Sequence, residues 1–186
     1  RELMASLSGH EEVELLYYDH SPADELRTLA GDDPRVSYTW DARNLGFSFA
    51  NNRLLGLAQH GRILLLNPDV FGFTPGFWDA LMRAPDDGVT FVRLLNADGT
   101  FQDCCGDVTG LMRAVLPTKD YSRVRSPVPV GMGIMAFMLA SRAIFDRVGL
   151  LDEDYPLYGE DMDWCHRAHK AGVPLIFDPR LELTHV

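Results

Sequence analysis

The sequence predicts an α/β protein in which helices cover a mostly parallel central sheet. Strand-like and helix-like segments alternate along the chain, which is the order that βαβ units produce. Several strand segments are short continuous apolar runs, such as Ile-Leu-Leu-Leu at 63–66, which is typical of strands buried on both faces. Three segments lead into acidic or histidine residues, and ligands of parallel sheets bind beyond the carboxyl ends of the strands.

Turn residues separate the elements of the first half of the chain. A helix tail and three strands that are rich in Leu, Val and aromatic residues alternate with helices that follow Ser-Pro and Asn-Leu-Gly turns. In order, the predicted elements are helix Arg1–Leu7, strand Val13–Tyr18 ending in Asp19, helix Ala23–Ala30, strand Val36–Trp40, helix Ser48–Gln59 and strand Arg62–Leu66.

The second half continues the alternation after the turn Asn67-Pro68-Asp69. An Asn-Ala-Asp-Gly turn at 96–99 predicts a hairpin, and an acidic loop at 152–154 precedes the last helix. In order, the predicted elements are helix Pro75–Arg83, hairpin strands Val89–Leu95 and Thr100–Phe101, an irregular stretch Gly106–Val128 with one helix, strand Val130–Ala140 with a helix to Val148, a helix beginning near Tyr158, and strands Pro174–Phe177 and Glu182–His185.

Composition limits the classes of partner. The chain has 17 basic and 27 acidic residues, a net charge of −10, whereas nucleic acids and anionic membrane surfaces reward clustered Lys and Arg. Its three cysteines form no C-x-x-C pair, which favours a reducing cytoplasm over a disulfide framework or a zinc site. No apolar run approaches the roughly 18–20 residues of a membrane span.

Size and composition predict one domain. A chain of 186 residues with 46% hydrophobic content can bury a full core. Because Arg1 is not an initiator Met and a helix tail comes first, we expect residues 1–186 to be a single domain that lacks its first strand and belongs to a longer protein.

The segment from Tyr158 to Cys165 opens a helix with an acid on the face that should be packed. At about 100° per residue, the apolar stripe contains Asp161, Trp164, Cys165, Ala168 and Gly172, and the solvated side contains Glu160, Asp163, Arg167 and Lys170. Burial raises the pKa of a carboxyl group and a helix N-terminus lowers it. A carboxylate held ionised yet dry suits a general base, so Asp161 is the candidate base.

Asp69 is the candidate metal ligand, with His185 as a second. A hard divalent cation that bridges two phosphates needs one or two protein carboxylates, because phosphate oxygens and water fill the other positions. The structural alternatives stay open: Asn67-Pro68-Asp69 can be a turn that caps the next helix, and a lone histidine is often a structural residue.

Two further polar groups can contact a ligand. Asp19 can accept hydrogen bonds from a base or ribose, or can cap the helix start at Ser21. Asn44, Gly46 and the pair at 51–52 form a second cluster, for which turn formation and capping are equal alternatives.

Together these segments resemble the family 2 glycosyltransferases with a GT-A fold, especially the rhamnosyltransferase-like and galactosyltransferase-like members. The resemblance extends from Leu15 to His185. Its markers, each weak alone, are Asp19 after a strand, Asn44-Leu45-Gly46-Phe47 with Asn51-Asn52, Leu65-Leu66-Asn67-Pro68-Asp69, Tyr158 to Asp163 with Arg167 and Gly172, and Phe177-Asp178-Pro179 followed by His185.

The resemblance implies a GT-A-type, Rossmann-like three-layer sandwich and an inverting transfer of a sugar from a nucleotide-diphosphate sugar. The acceptor would be a glycan or lipid-linked saccharide in bacterial surface polysaccharide synthesis, in the cytoplasm or at the inner face of the membrane. The implied roles are Asp161 as base with Glu160 orienting it or the acceptor, Asp69 and His185 as ligands of Mg²⁺ or Mn²⁺, and Asp19, Asn44, Gly46, Asn52, Asn67 and Asp69 as donor contacts.

Two departures from the family pattern keep an alternative open. The family's first strand is missing before Arg1, and Asn67 replaces the first acid of the D-x-D element. Both favour a non-catalytic nucleotide-sugar or glycan-binding module, or a scaffold subunit of a polysaccharide synthase, whereas the Glu160-Asp161 pair disfavours it. A sugar nucleotidyltransferase would need a glycine-rich phosphate loop, and the sequence has none.

Overall fold

The computed structural model describes residues 2–24, 26–31, 33–107, 119–155 and 157–186. It confirms the predicted α/β class. Contacts divide the chain into two compact units, one formed by 1–60 with 151–160 and the other by 61–150 with 161–186. The predicted helix within the irregular stretch 106–128 falls largely on residues 108–118, which lie outside the described residues.

The first unit contains a two-stranded parallel sheet. Strands β1 (Leu15–Asp19) and β2 (Val36–Trp40) pair in register from Leu15 with Val36 to Asp19 with Trp40. The helices of this unit are short except for the third: α1 (Glu2–Ser6), α2 (Arg27–Ala30) and α3 (Phe47–Leu57). The predicted strands agree within two residues, whereas the helix predicted from Ala23 begins only at Arg27, because bends occupy 22–24.

The second unit contains a six-stranded mixed sheet. Its strands, with a small separate pair and one 3₁₀ turn, are β3 (Arg62–Leu66), β4 (Val70–Phe71), β5 (Val89–Leu95), β6 (Cys105–Gly106), 3₁₀ turn Tyr121–Arg123, β7 (Val128–Pro129), β8 (Met132–Gly133), β9 (Phe137–Ser141) and β10 (Leu175–His185). The order is β3-β9-β5-β10-β4, with β7 also paired to β10 and β6 paired to β8. Parallel pairing joins β5 to β10, and the other pairs are antiparallel.

Strand β5 is central and carries the core of the second unit. Its residues 89–94 are all buried, as expected for a strand covered on both faces. The continuous apolar run at 63–66 predicted such burial for β3 instead, where only Ile63 and Leu65 are buried.

Arg93 is the charged residue among residues 89–94, and its guanidinium donates to the carbonyls of Ser122 and Val124 at 3.1 and 2.6 Å. A buried cation thereby gains partners that offset its desolvation and ties residues 122–124 to the sheet.

Three predicted segments of the second unit differ in the structure. The hairpin strand predicted at Thr100–Phe101 is only a single bridge from Phe101 to Leu95. The single strand predicted for Val130–Ala140 is two strands, because a turn at 134–136 separates β8 from β9. The two strands predicted at the end of the chain are one strand, β10, with a bulge between Asp178 and Glu182. A bulge lets a strand accommodate Pro179 without ending.

Three helices complete the second unit: α4 (Phe77–Leu81), α5 (Arg142–Val148) and α6 (Glu160–Lys170). The stripe predicted for α6 is confirmed, since Trp164, Cys165 and Ala168 are fully buried. Gly172 is not part of it, because the helix has ended: the residue is exposed with φ of 69°, a conformation that glycine adopts easily at helix C-termini. None of the described helices is long and apolar enough to cross a membrane.

Candidate functional site

The structure brings Asp69 and His185 together, as the metal prediction requires. The turn at 67–69 links β3 to β4, and β4 pairs with the end of β10 so that Val70 lies opposite His185. The amide of Val186 donates to the Asp69 carbonyl at 3.1 Å, and His185 Nε2 lies 3.4 Å from Asp69 Oδ1. Asp69 leads into a strand, so the alternative of a turn that caps the next helix is wrong.

The Oδ1 atom of Asp69 has the properties of a metal ligand. It is buried, and no hydrogen-bond donor of the described residues reaches it. A buried carboxylate oxygen without a donor is costly, and a divalent cation would satisfy both it and the imidazole nitrogen beside it. The residues present therefore fit a cation held by two protein ligands and completed by phosphate oxygens and water.

The described part of the chain offers no larger metal cluster. No three of its His, Cys, Asp or Glu side chains are grouped to hold an ion. Asn67, which occupies the first D-x-D position, is held by its backbone: its N–H donates to the Ala136 carbonyl at 2.9 Å and its carbonyl accepts from Val70 at 3.3 Å. A cation at Asp69 and His185 would thus depend strongly on the phosphates of a bound donor.

Gln102 is a member of this group that the sequence analysis missed. Its side-chain Oε1 lies 2.8 Å from His185 Nδ1, so both ring nitrogens of His185 face side-chain oxygens. No local signal in the sequence identifies Gln102, because its contact with His185 joins positions that are 83 residues apart.

Asp161 lies in the first turn of α6 and is half-buried. Its Oδ1 accepts from the Met162 N–H at 2.7 Å, which satisfies one of the amides that a helix N-terminus leaves without an intrahelical acceptor. Burial raises the pKa of Cys165 to about 12, and the negative charge of Asp161 adds to that rise. The half-burial of Asp161 agrees with the predicted packed side of the helix.

The burial of Glu160 contradicts part of the helical-face prediction. Glu160 was placed on the solvated side of α6 but is 9% exposed. Helical periodicity therefore does not predict the burial of this first residue of the helix. Asp163 and Arg167 do form the predicted i, i+4 pair, at 2.8 Å.

In the first unit, Asp19 is a buried acid at the end of β1. Its Oδ1 accepts from the Ser21 N–H at 2.8 Å, and its Oδ2 accepts from the Tyr38 hydroxyl at 2.5 Å. Burial alone would raise the pKa of Asp19, but these hydrogen bonds outweigh it and hold the pKa below its usual value. The carboxylate is thus ionised. Its contact with the Ser21 amide caps no helix, because α2 begins only at Arg27, so the helix-cap alternative is wrong.

The asparagine cluster of the first unit also has internal partners. Asn44 Oδ1 accepts from the Gly46 N–H at 3.1 Å, which forms a turn just before α3. Asn52 bonds the backbone of Leu151 in both directions, at 2.9 and 3.0 Å, and donates to Glu153. Asn52 thereby fastens the 151–153 loop to α3, and the donor-contact roles of Asn44, Gly46 and Asn52 stay predictions.

Proteins similar to this chain include glycosyltransferases. The chain is 30% identical to an N-acetylglucosaminyl-diphospho-decaprenol L-rhamnosyltransferase of Mycobacterium tuberculosis, with 97% of the chain and 68% of the relative covered. No family model matches the sequence.

Two solved structures share the fold. A crystal structure of GalNAc-T7 with UDP, GalNAc and Mn²⁺ superposes with a TM-score of 0.68 at 14% identity, and covers 93% of this chain and 37% of its own. The mannosyltransferase PcManGT from Pyrobaculum calidifontis, in complex with GDP-Man and Mn²⁺, gives 0.60 at 16% identity over 98% of this chain and 52% of its own. At these identities the likeness concerns the fold.

Proposed function

The chain belongs to the family 2 glycosyltransferases with a GT-A fold, and we propose that it is an inverting, metal-dependent enzyme. It moves a sugar from a nucleotide-diphosphate sugar to a glycan or lipid-linked saccharide, in the synthesis of a bacterial surface polysaccharide. The M. tuberculosis relative, which by its name acts on a decaprenol-linked saccharide, supports a lipid-linked acceptor. We place the enzyme in the cytoplasm, at the inner face of the membrane.

The observation that carries this proposal is the pair of electron-rich atoms at Asp69 and His185. Asp69 Oδ1 is buried, without a hydrogen-bond donor among the described residues, and 3.4 Å from His185 Nε2. These two residues would hold Mg²⁺ or Mn²⁺, and the solved neighbours that share the fold contain Mn²⁺. A bound cation stabilises the negative charge that develops on a departing diphosphate.

Asp161 is the proposed base of the reaction. Its half-buried carboxylate takes the proton of the acceptor hydroxyl, the freed oxygen pair attacks the anomeric carbon, and the bond to the diphosphate oxygen breaks. One such displacement inverts the anomeric centre, and a positioned base contributes about 10²–10⁴-fold. Asp69 and Asp161 belong to the same compact unit, and the proposal requires that they face one cleft.

Two roles complete the proposal. Glu160 orients the acceptor or the base, for which its burial at the start of α6 provides a fixed position. Asp19 contacts the nucleoside, which its ionised carboxylate supports because a carboxylate oxygen can accept more than one hydrogen bond. The donor contacts of Asn44, Gly46, Asn52 and Asn67 remain part of the same hypothesis.

A thermal-shift screen tests donor and metal use. UDP-, TDP- and GDP-sugars are added to the protein with and without Mn²⁺, because a ligand that binds the folded state raises the melting temperature. We expect a shift with one nucleotide class that requires Mn²⁺. Equal shifts in EDTA would exclude a metal-dependent donor site.

The variant Asp161→Asn tests the base. We expect sugar transfer to fall by about 10²-fold or more, while Mn²⁺-dependent nucleotide binding is retained. Asp146→Asn is the matched control, since this carboxylate is exposed on α5, and it should transfer normally. Full transfer by Asp161→Asn would refute the assignment, whereas donor binding by the parent protein without any transfer would indicate the non-catalytic module.

A further inference from the structure

We infer that Gln102 fixes the tautomer of His185, holding the ring proton on Nδ1 so that Nε2 presents its lone pair beside Asp69. Gln102 is therefore a positioning residue for the metal site. The role of this tautomer in metal binding rests on the proposed function, whereas the tautomer itself is inferred from hydrogen-bond geometry.

A chain of side-chain contacts leads from the turn after β5 to the imidazole. The Thr100 hydroxyl lies 2.6 Å from Asp98 Oδ1, and Asn96 Nδ2 lies 2.9 Å from the Thr100 hydroxyl oxygen. Gln102 Nε2 lies 3.3 Å from Asn96 Oδ1, and Gln102 Oε1 lies 2.8 Å from the imidazole Nδ1. Asn96 and Gln102 each contact one neighbour through the amide nitrogen and the other through the amide oxygen, and the Thr100 hydroxyl contacts both of its neighbours.

The direction of every hydrogen bond in this chain follows from its first member. Hydrogen bonds from the Thr100 side chain and backbone hold the pKa of Asp98 below its usual value, so Asp98 is ionised and can only accept. The single hydroxyl proton of Thr100 is used on Asp98, and its oxygen therefore accepts from the Asn96 amide.

The remaining two contacts are then determined. With its NH₂ group directed to Thr100, Asn96 presents its oxygen to Gln102, and Gln102 must donate its own NH₂ there. The Gln102 oxygen is left for the imidazole, and an oxygen without a hydrogen can only accept. His185 Nδ1 must therefore carry the proton, and a neutral ring then has its lone pair on Nε2.

This arrangement has a recognised use at metal sites. A ligating histidine donates its other ring N–H to an oxygen acceptor, which fixes the tautomer and ring orientation. Asp69 Oδ1 lies 3.4 Å from Nε2, so the fixed tautomer places two electron-pair donors side by side. A cation turns that unfavourable contact into two favourable ones.

The test measures the tautomer and metal affinity separately. The ¹⁵N chemical shifts of His185 are recorded in metal-free protein at pH 8, with the resonance identified by its loss in His185→Asn. Mn²⁺ affinity is measured from the free-ion EPR signal with UDP present. The variants are Gln102→Met, which keeps the length and removes the acceptor, and Gln102→Glu, which restores an acceptor oxygen. Gln59→Met is the control, since this exposed side chain belongs to the other unit.

We expect the Nδ1–H form in the parent protein, its loss in Gln102→Met with about a 10–100-fold weaker Mn²⁺ affinity, and recovery of both in Gln102→Glu. An Nε2–H form in the parent, or an unchanged tautomer and affinity in Gln102→Met, overturns the inference. A parent with the Nδ1–H form that depends on Gln102, yet without Mn²⁺ binding, supports the inference and refutes the metal-dependent function instead.

Discussion

Replacing Asp69 by asparagine should make the metal-free protein more stable while it removes metal binding. When the only ring proton of His185 is on Nδ1, the lone pair on Nε2 faces the buried Asp69 Oδ1 at 3.4 Å. Two acceptors gain nothing from that contact. An asparagine amide at the same position donates to Nε2, and the orphaned oxygen is gone.

The size of the gain follows from the energy of one hydrogen bond. An intramolecular hydrogen bond contributes about 0.5–1.5 kcal/mol net. For a chain of 150–250 residues, each kcal/mol shifts the melting temperature by about 2–4 °C. We therefore expect Asp69→Asn to melt about 1–6 °C above the parent protein in EDTA, and to lose Mn²⁺-dependent nucleotide binding.

The assay is thermal unfolding followed by circular dichroism at pH 8 in EDTA, with Mn²⁺ binding measured on the same samples. Asp79→Asn is the control, because this side chain is exposed on α4 and an exposed substitution changes stability within about 0.5 kcal/mol. A lower melting temperature for Asp69→Asn than for the parent would show that Oδ1 has a donor, and the argument for a cation there would fail.

Two further predictions concern packing and pH. In Gly133→Ala the added Cβ would lie 2.4 Å from ring carbons of the buried Phe91, so we expect the free energy of unfolding in urea to fall by about 1–3 kcal/mol. The control is Gly56→Ala in α3, where the added Cβ has nothing within 4 Å, and its stability should be unchanged or higher by up to about 1 kcal/mol. A Gly133→Ala variant as stable as the parent protein would contradict the packing. Side-chain hydrogen bonds from Arg35 lower the pKa of Asp33 from 3.8 to about 2, so its stabilising effect is present above pH 3.8 and is lost as pH falls to about 2. Asp33→Asn should therefore weaken the acid dependence of stability in that interval, and an unchanged acid-unfolding profile would contradict it.

The sequence predicted the elements whose signals are local. Strands β2 and β3 have the predicted bounds, because turn residues on both sides mark the ends of a strand-forming run without reference to its partners. The proximity of Asp69 and His185 was also predictable, since both follow strands at the edge where ligands bind.

Features that depend on distant parts of the chain were not predictable. The bulge in β10 depends on pairing with β5, and periodicity cannot distinguish a bulged strand from two strands. The turn between β8 and β9 arises because their partners differ. The role of Gln102 needs a contact across 83 positions of the chain, which one sequence does not reveal.

The bulge in β10 acts as a spacer whose length selects the residue presented to Asp69. Asp178 pairs with Val92 and Glu182 with Arg93, so that 179–181 lie between consecutive paired positions. A strand shifted by one residue reverses the orientation of every side chain beyond the shift. Removing one residue from 179–181 would thus place a neighbour at the position of His185, while the pairing of β5 with the first half of β10 persisted. A single-codon deletion would then remove the chemistry of this domain and retain its fold.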